Sequence, residues 1–133
     1  MDDYFHVILQ PDDIRAISSI GLAHLGDAVY ELLVRTWLCA HGKATGKGLH
    51  RATIGLVCAP AQAQRAERIL PRLTEEELAV FRRGRNAQVH SIPQHASRGQ
   101  YAEATALEAL FGYLYLQGRQ ERINQLFLWM MEE

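Results

Sequence analysis

Residues 20–40, IGLAHLGDAVYELLVRTWLCA, decide how this chain folds. Apolar side chains recur every three to four positions along the whole run, which is the period of an α-helix. On a helical wheel Leu22, Leu25, Val29, Leu32, Leu33 and Thr36 share one face, and Ala23, Tyr30, Val34 and Leu38 form a second. Only His24, Glu31 and Arg35 make a polar strip. A helix that is apolar on two sides belongs within a protein rather than on it. Asp27 breaks the pattern, lying among Ala23, Val34 and Leu38 at the edge of the second face. It follows Gly26, a residue that costs about 1 kcal/mol relative to alanine inside a helix. Something must approach the backbone closely there.

The same anomaly returns near the other end of the chain. A helix is expected over 100–116, with Ala104, Leu107, Leu110, Phe111 and Leu114 as its core stripe. Glu108 sits beside that stripe, and Gly112 lies one turn further on. Carboxylates are seldom buried unless they are paired or bind a metal, because uncompensated burial is costly. A structural ion pair with His24, Arg35 or His50 is one explanation; a cation shared by Asp27 and Glu108 is the other. The recurrence of acid beside glycine on the two most apolar helices favours the shared cation. Ligands that are all oxygen select Mg²⁺ or Mn²⁺. The histidines do not redirect this: there is no HExxH and no Cys/His zinc pattern, and His90 and His95 fall in a loop.

Around these two segments the chain reads as one all-α domain, a helical bundle. Its 133 residues suffice for a core without staples, and 48% hydrophobic with 22% charged residues argues against disorder. A short helix is expected over 12–18, a loop over 43–48, and a helix over 49–70 that Pro60 kinks or splits. Thr74 and Glu77 form a capping box for a helix over 75–83, with Gly84 as its C-terminal residue. Residues 85–99 show no period and read as a long loop. Gly118 separates 100–116 from a last amphipathic helix over 119–131. Cys39 and Cys58 read as buried, reduced thiols, which suits the cytoplasm. No apolar run reaches the length of a membrane span, so no membrane partner is expected. The net charge is −1, yet Arg82, Arg83, Arg85 and Asn86 gather a local basic patch, a candidate for phosphate contact.

Those residues carry a resemblance. LAHLGDAVYE at 22–31 is similar to the signature helix of the ribonuclease III catalytic domain, and EALFGYLYL at 108–116 to its second acidic helix. With RGRNA at 83–87, the pattern resembles the mini-ribonuclease III subfamily in particular. The resemblance implies an all-helical, homodimeric endonuclease domain over 1–133, without a separate double-stranded-RNA-binding domain. It further implies cleavage of double-stranded RNA with Mg²⁺, Mn²⁺ being able to substitute. In that subfamily the substrate is precursor 23S ribosomal RNA, trimmed near its ends, and a ribosomal protein is a candidate accessory partner. Asp27 and Glu108 fall on the family's metal-binding acids. Where full-length ribonuclease III has further acids this chain has Ile20, Ala23 and Thr105, and Gln88 and Gln94 stand where lysines are expected. Glu31 is a candidate for reaching the metal through a water, although Arg35 at i+4 equally suits a surface ion pair.

The expected chemistry is in-line attack on phosphorus by water whose pKa the cation lowers, with the same charge stabilising the phosphate oxygens. A-form RNA is recognised by shape, 2′-hydroxyls and phosphates, for which Arg82, Arg83, Arg85, Asn86, Lys47 and Arg51 are the candidates. Trp37 and Leu38 supply surplus apolar surface for a dimer. Three rival readings stay open: a catalytically silent duplex-RNA or ribosome-binding module, an unrelated helical phosphohydrolase acting on nucleotides, and a purely structural helical dimer.

Overall fold

The computed structural model describes residues 2–87 and 97–132, and all of its regular structure is helical. The helices are α1 (Pro11–Arg15), α2 (Ser19–Ala40), α3 (Gly46–Val57), α4 (Ala59–Ile69), α5 (Glu75–Arg85), α6 (Arg98–Leu116) and α7 (Gln120–Met131), with a 3₁₀ turn at Leu70–Arg72. The all-α reading of the sequence therefore holds.

α6 is the axis of the bundle. Apolar or small residues surround it, and ten of its nineteen residues are buried. A helix apolar all round has to be wrapped, and α2, α4, α5 and α7 do so. Leu107, Leu110, Phe111 and Leu114 meet Tyr30, Val34, Ile69, Phe81, Leu126 and Met130 in one core. Tyr30 lies fully buried and edge-on to Phe111 and Phe127, with ring centroids 5.8 and 6.1 Å away.

The helix ends follow local chemistry. The Ser18 hydroxyl accepts from the Gly21 N–H at 3.0 Å and starts α2. α2 and α6 stop in the same way: Gly42 (φ 95°) and Gly118 (φ 72°) turn left-handed. The next N–H groups, of Lys43 and Arg119, then close onto the carbonyls of Leu38 and Leu114, each at 3.0 Å. The capping box of Thr74 and Glu77 is present, as is one at Ser97 and Gln100 that starts α6 two residues before the expected Gln100.

Several expectations need correction. The loop expected over 43–48 ends early, because Thr45 caps α3 through the Gly48 N–H and the helix begins at Gly46. Of the two outcomes left open at Pro60, splitting is the one found, since Pro60 sits in the first turn of α4, where its missing N–H is harmless. Gly84 lies inside α5, not past its end. A β-carbon there would stand 3.0 Å from Ala106 Cα and Ala109 Cβ, so the glycine lets α5 lie close against α6. Cys39 and Cys58 are exposed rather than buried. Leu38 is buried and Trp37 is half-buried, stacked on His41 at 3.9 Å, so neither is surplus surface. That surplus lies on the other face of α2, where Leu32 is 52% exposed. Of the expected loop over 85–99, residues 88–96, with Gln88, His90, Gln94 and His95, lie outside the described residues.

Candidate active site

The two acid-bearing helices are joined at their glycines. A β-carbon on Gly26 would lie 1.6 Å from the backbone oxygen of Glu108, and one on Gly112 would lie 2.1 Å from that of Leu22. α2 and α6 therefore cross backbone on backbone, which no other residue type permits. The close approach expected at Gly26 is real, and the approaching group is the peptide of Glu108 itself. One residue beyond Gly26, Asp27 leaves the crossing on the same side as the Glu108 side chain.

The two carboxylates differ in environment. Asp27 is exposed, against the expectation of an interior acid: the core took the apolar face of Ala23, Tyr30, Val34 and Leu38 at whose edge it lies, and left Asp27 on the solvent side of that edge. Glu108 is half-buried, and its carboxyl is pushed up to about 8. Burial is the largest cause, followed by the charge of Asp27 and hydrogen bonding with it, while Gln62 acts the other way. A half-buried carboxyl that resists losing its proton beside a second carboxylate is suited to a cation, which offsets both burial and repulsion. Among the described residues no third His, Cys, Asp or Glu joins them. Such a cation would thus keep most of its positions for water and phosphate, the habit of Mg²⁺.

Gln62 was not foreseen. It is buried, and its Nε2 donates to the Val57 carbonyl at 2.8 Å and to Glu108 Oε2 at 3.4 Å. The break between α3 and α4 explains part of this. Pro60 has no N–H to give the Leu56 carbonyl, which instead accepts from the Tyr30 hydroxyl at 3.2 Å. The Val57 carbonyl, freed by the same break, takes Gln62. A sequence signal existed: Gln62, Ala66 and Ile69 form the buried stripe of α4, and an amide on such a stripe needs a reason.

The other predicted residues are more dispersed. Glu31 pairs with Arg35 at 2.6 Å, the surface alternative of its two readings. Arg82, Arg83, Arg85 and Asn86 are all exposed at the C-terminal end of α5, where cations also suit the helix dipole. Arg85 reaches Glu103 at 3.5 Å; Arg82 and Arg83 form no ion pair among the described residues. Lys47 and Arg51 are exposed one turn apart on α3. His24 and His50, offered as partners for a buried acid, are exposed and pair with neither carboxylate among the described residues.

A small helical domain whose two central helices cross at glycines and present one acid each is the frame of a ribonuclease III endonuclease. The Ribonuclease III domain matches residues 21–119. A mini-ribonuclease 3 of Symbiobacterium thermophilum is 47% identical over 80% of this chain and 82% of its own length. One of Brevibacillus brevis is 48% identical over 86% and 85%. The crystal structure of protein FN1578 from Fusobacterium nucleatum superposes with a TM-score of 0.80 at 33% identity, over 87% of this chain and 93% of that one. The chain belongs to the ribonuclease III family and, within it, to the mini-ribonuclease 3 group. It is an endoribonuclease for double-stranded RNA.

Proposed function

We propose that Asp27 and Glu108 hold the divalent cation with which this endoribonuclease hydrolyses phosphodiester bonds, Mg²⁺ by preference and Mn²⁺ as a substitute. The observation that carries this reading is Glu108, a half-buried carboxyl pushed up to about 8 by burial and by Asp27. When bound, the cation lowers the pKa of water and screens the phosphate oxygens during in-line attack. The chain itself fixes the two acids through the Gly26–Gly112 crossing and exposes Asp27 to incoming phosphate. Glu31 stays outside the direct ligand set, held by Arg35, and reaches the cation only through water.

Arg82, Arg83, Arg85, Asn86, Lys47 and Arg51 contact RNA phosphates in this reading, since A-form RNA hides its base edges. Kinship with the mini group supports precursor 23S ribosomal RNA as the natural substrate, in the cytoplasm, with a ribosomal protein as accessory. Residues 1–133 then work as a single catalytic domain. A homodimer is supported by a groove of about 310 Å³ whose walls include Leu25, Val29, Leu32, Leu33 and Ile123. A second copy covering this face would put one pair of acids on each strand of a duplex. No helix among the described residues is long and apolar enough to cross a membrane.

The test is cleavage of duplex RNA and of precursor 23S ribosomal RNA by Asp27→Asn and Glu108→Gln, with the ends mapped. Loss of cleavage in both variants and near-terminal cuts by the unaltered protein are expected. Metal-dependent cleavage that survives either substitution sinks the site assignment. Inactivity of the unaltered protein would favour the silent RNA-binding module.

A further inference from the structure

We infer that Gln62 is a positioning residue of the metal site, holding Glu108 Oε2 through its Nε2 so that the other carboxylate oxygen is left for the cation. This rests on the reading of Asp27 and Glu108 as the metal site.

Both neighbours of the Gln62 amide, the Val57 carbonyl and the Glu108 carboxylate, are acceptors. The NH₂ must therefore face them, and the amide has one orientation only. One hydrogen closes the end of α3 and the second reaches Glu108, so a single side chain ties the α3–α4 break to the acid on α6. Capping the Val57 carbonyl accounts for the first hydrogen. It does not account for the second, nor for the cost of the rest of the group.

That cost is visible. Gln62 is 2% exposed, and its Oε1 is buried with no hydrogen-bond partner among the described residues. An unpartnered buried acceptor is expensive, whereas methionine or leucine would fill the stripe beside Ala66 and Ile69 with no orphan oxygen. Sites where a sequence breaks its own packing rule are where function is expected. The functional group within reach is the Glu108 carboxylate, 3.4 Å away. Outer partners that hold a metal ligand typically set metal affinity by 10–100-fold.

The experiment is Mn²⁺ titration of the full chain, followed by electron paramagnetic resonance of free Mn²⁺, on the unaltered protein, Gln62→Met, Gln62→Leu and Asp27→Asn. Thermal melting is recorded on each sample. Gln62→Met and Gln62→Leu should bind Mn²⁺ about tenfold more weakly and need correspondingly more Mg²⁺ for half-maximal cleavage. A purely capping glutamine would instead lower the melting temperature and leave Mn²⁺ affinity unchanged, which overturns the inference. Failure of both variants to fold also overturns it, because Gln62 would then belong to the frame. If Asp27→Asn binds Mn²⁺ like the unaltered protein, the metal-site reading falls and takes Gln62 with it. If Asp27→Asn loses Mn²⁺ and the Gln62 variants do not, only the Gln62 assignment fails.

Discussion

Gly26 and Glu108 touch through their backbones: a β-carbon on the first would stand 1.6 Å from the carbonyl oxygen of the second. The contact fixes where α2 crosses α6, and so fixes the separation of the two acids. Gly26→Ala must push the helices apart, because the opposing atom is backbone and cannot rotate away. Overpacking costs roughly 1–3 kcal/mol, and this site should reach or pass the upper end. Urea unfolding should show that loss, and cleavage should fall even where the protein remains folded, although neither acid has been altered. Gly84→Ala, with its nearest contacts at 3.0 Å, should cost less and leave cleavage largely intact.

Stability should depend on pH and metal together. In the metal-free protein Glu108 keeps its proton up to about pH 8, against an ordinary value of 4.5. The unfolded chain releases that proton near the ordinary value, so the folded state binds more protons between the two. This contribution to stability is full below pH 4.5, falls as pH rises and levels off above about 8. Saturating Mg²⁺ should flatten the slope by favouring the charged carboxylate. Unfolding at several pH values, with chelator and with Mg²⁺, checks this; equal slopes in both would contradict it.

A second buried acid behaves oppositely. Glu77 is fully buried and meets Arg122 at 2.8 Å through both oxygens, while also closing the α5 capping box. Burial raises its carboxyl, but the hydrogen bonds from Arg122 and Thr74 and the charge of Arg122 outweigh it, and the value lies below 4.5. Its stabilisation is present above that value and lost as the protein is acidified through the lowered one. Arg122→Ala leaves this charge unpaired and should cost about 3–5 kcal/mol. Cleavage by whatever fraction stays folded should be near normal, which separates this pair from the active site.

Binding to RNA should respond to salt. If Arg82, Arg83 and Lys47 neutralise phosphates, affinity for duplex RNA falls steeply as salt rises. Replacing Arg83 by alanine should weaken binding similarly on all duplex sequences and reduce the salt slope by about one. Filter binding in Ca²⁺ across a salt series reads this, and an unchanged slope removes Arg83 from the interface.

How much of the fold and of the site is legible in the sequence depends on what each signal measures. Periodicity places α2 and α6 almost to the residue, because both are long and strongly patterned. The glycines beside Asp27 and Glu108 correctly signal a close backbone approach. Asp27 lies at the rim of the apolar face of Ala23, Tyr30, Val34 and Leu38 that the core took, and periodicity cannot say on which side of that rim solvent begins; Asp27 and Leu32 lie outside. Gly84 resembles a helix stop because a terminal glycine and a glycine at a helix crossing look alike in one dimension. The distant partners of Gln62 and of Glu77 were illegible for a related reason. Each makes contacts 45 or 46 residues away in sequence, and no local pattern reports such partners.

In the proposed site Asp27 and Glu108 share one cation. Mn²⁺ titration of the unaltered protein against Glu108→Gln, with the fold of each checked by circular dichroism, tests it most directly. The folded variant should lose at least tenfold in Mn²⁺ affinity, the lower bound for disturbing even an outer partner of a metal, and should no longer cleave duplex RNA. A folded Glu108→Gln protein that binds Mn²⁺ as the unaltered chain does would contradict it.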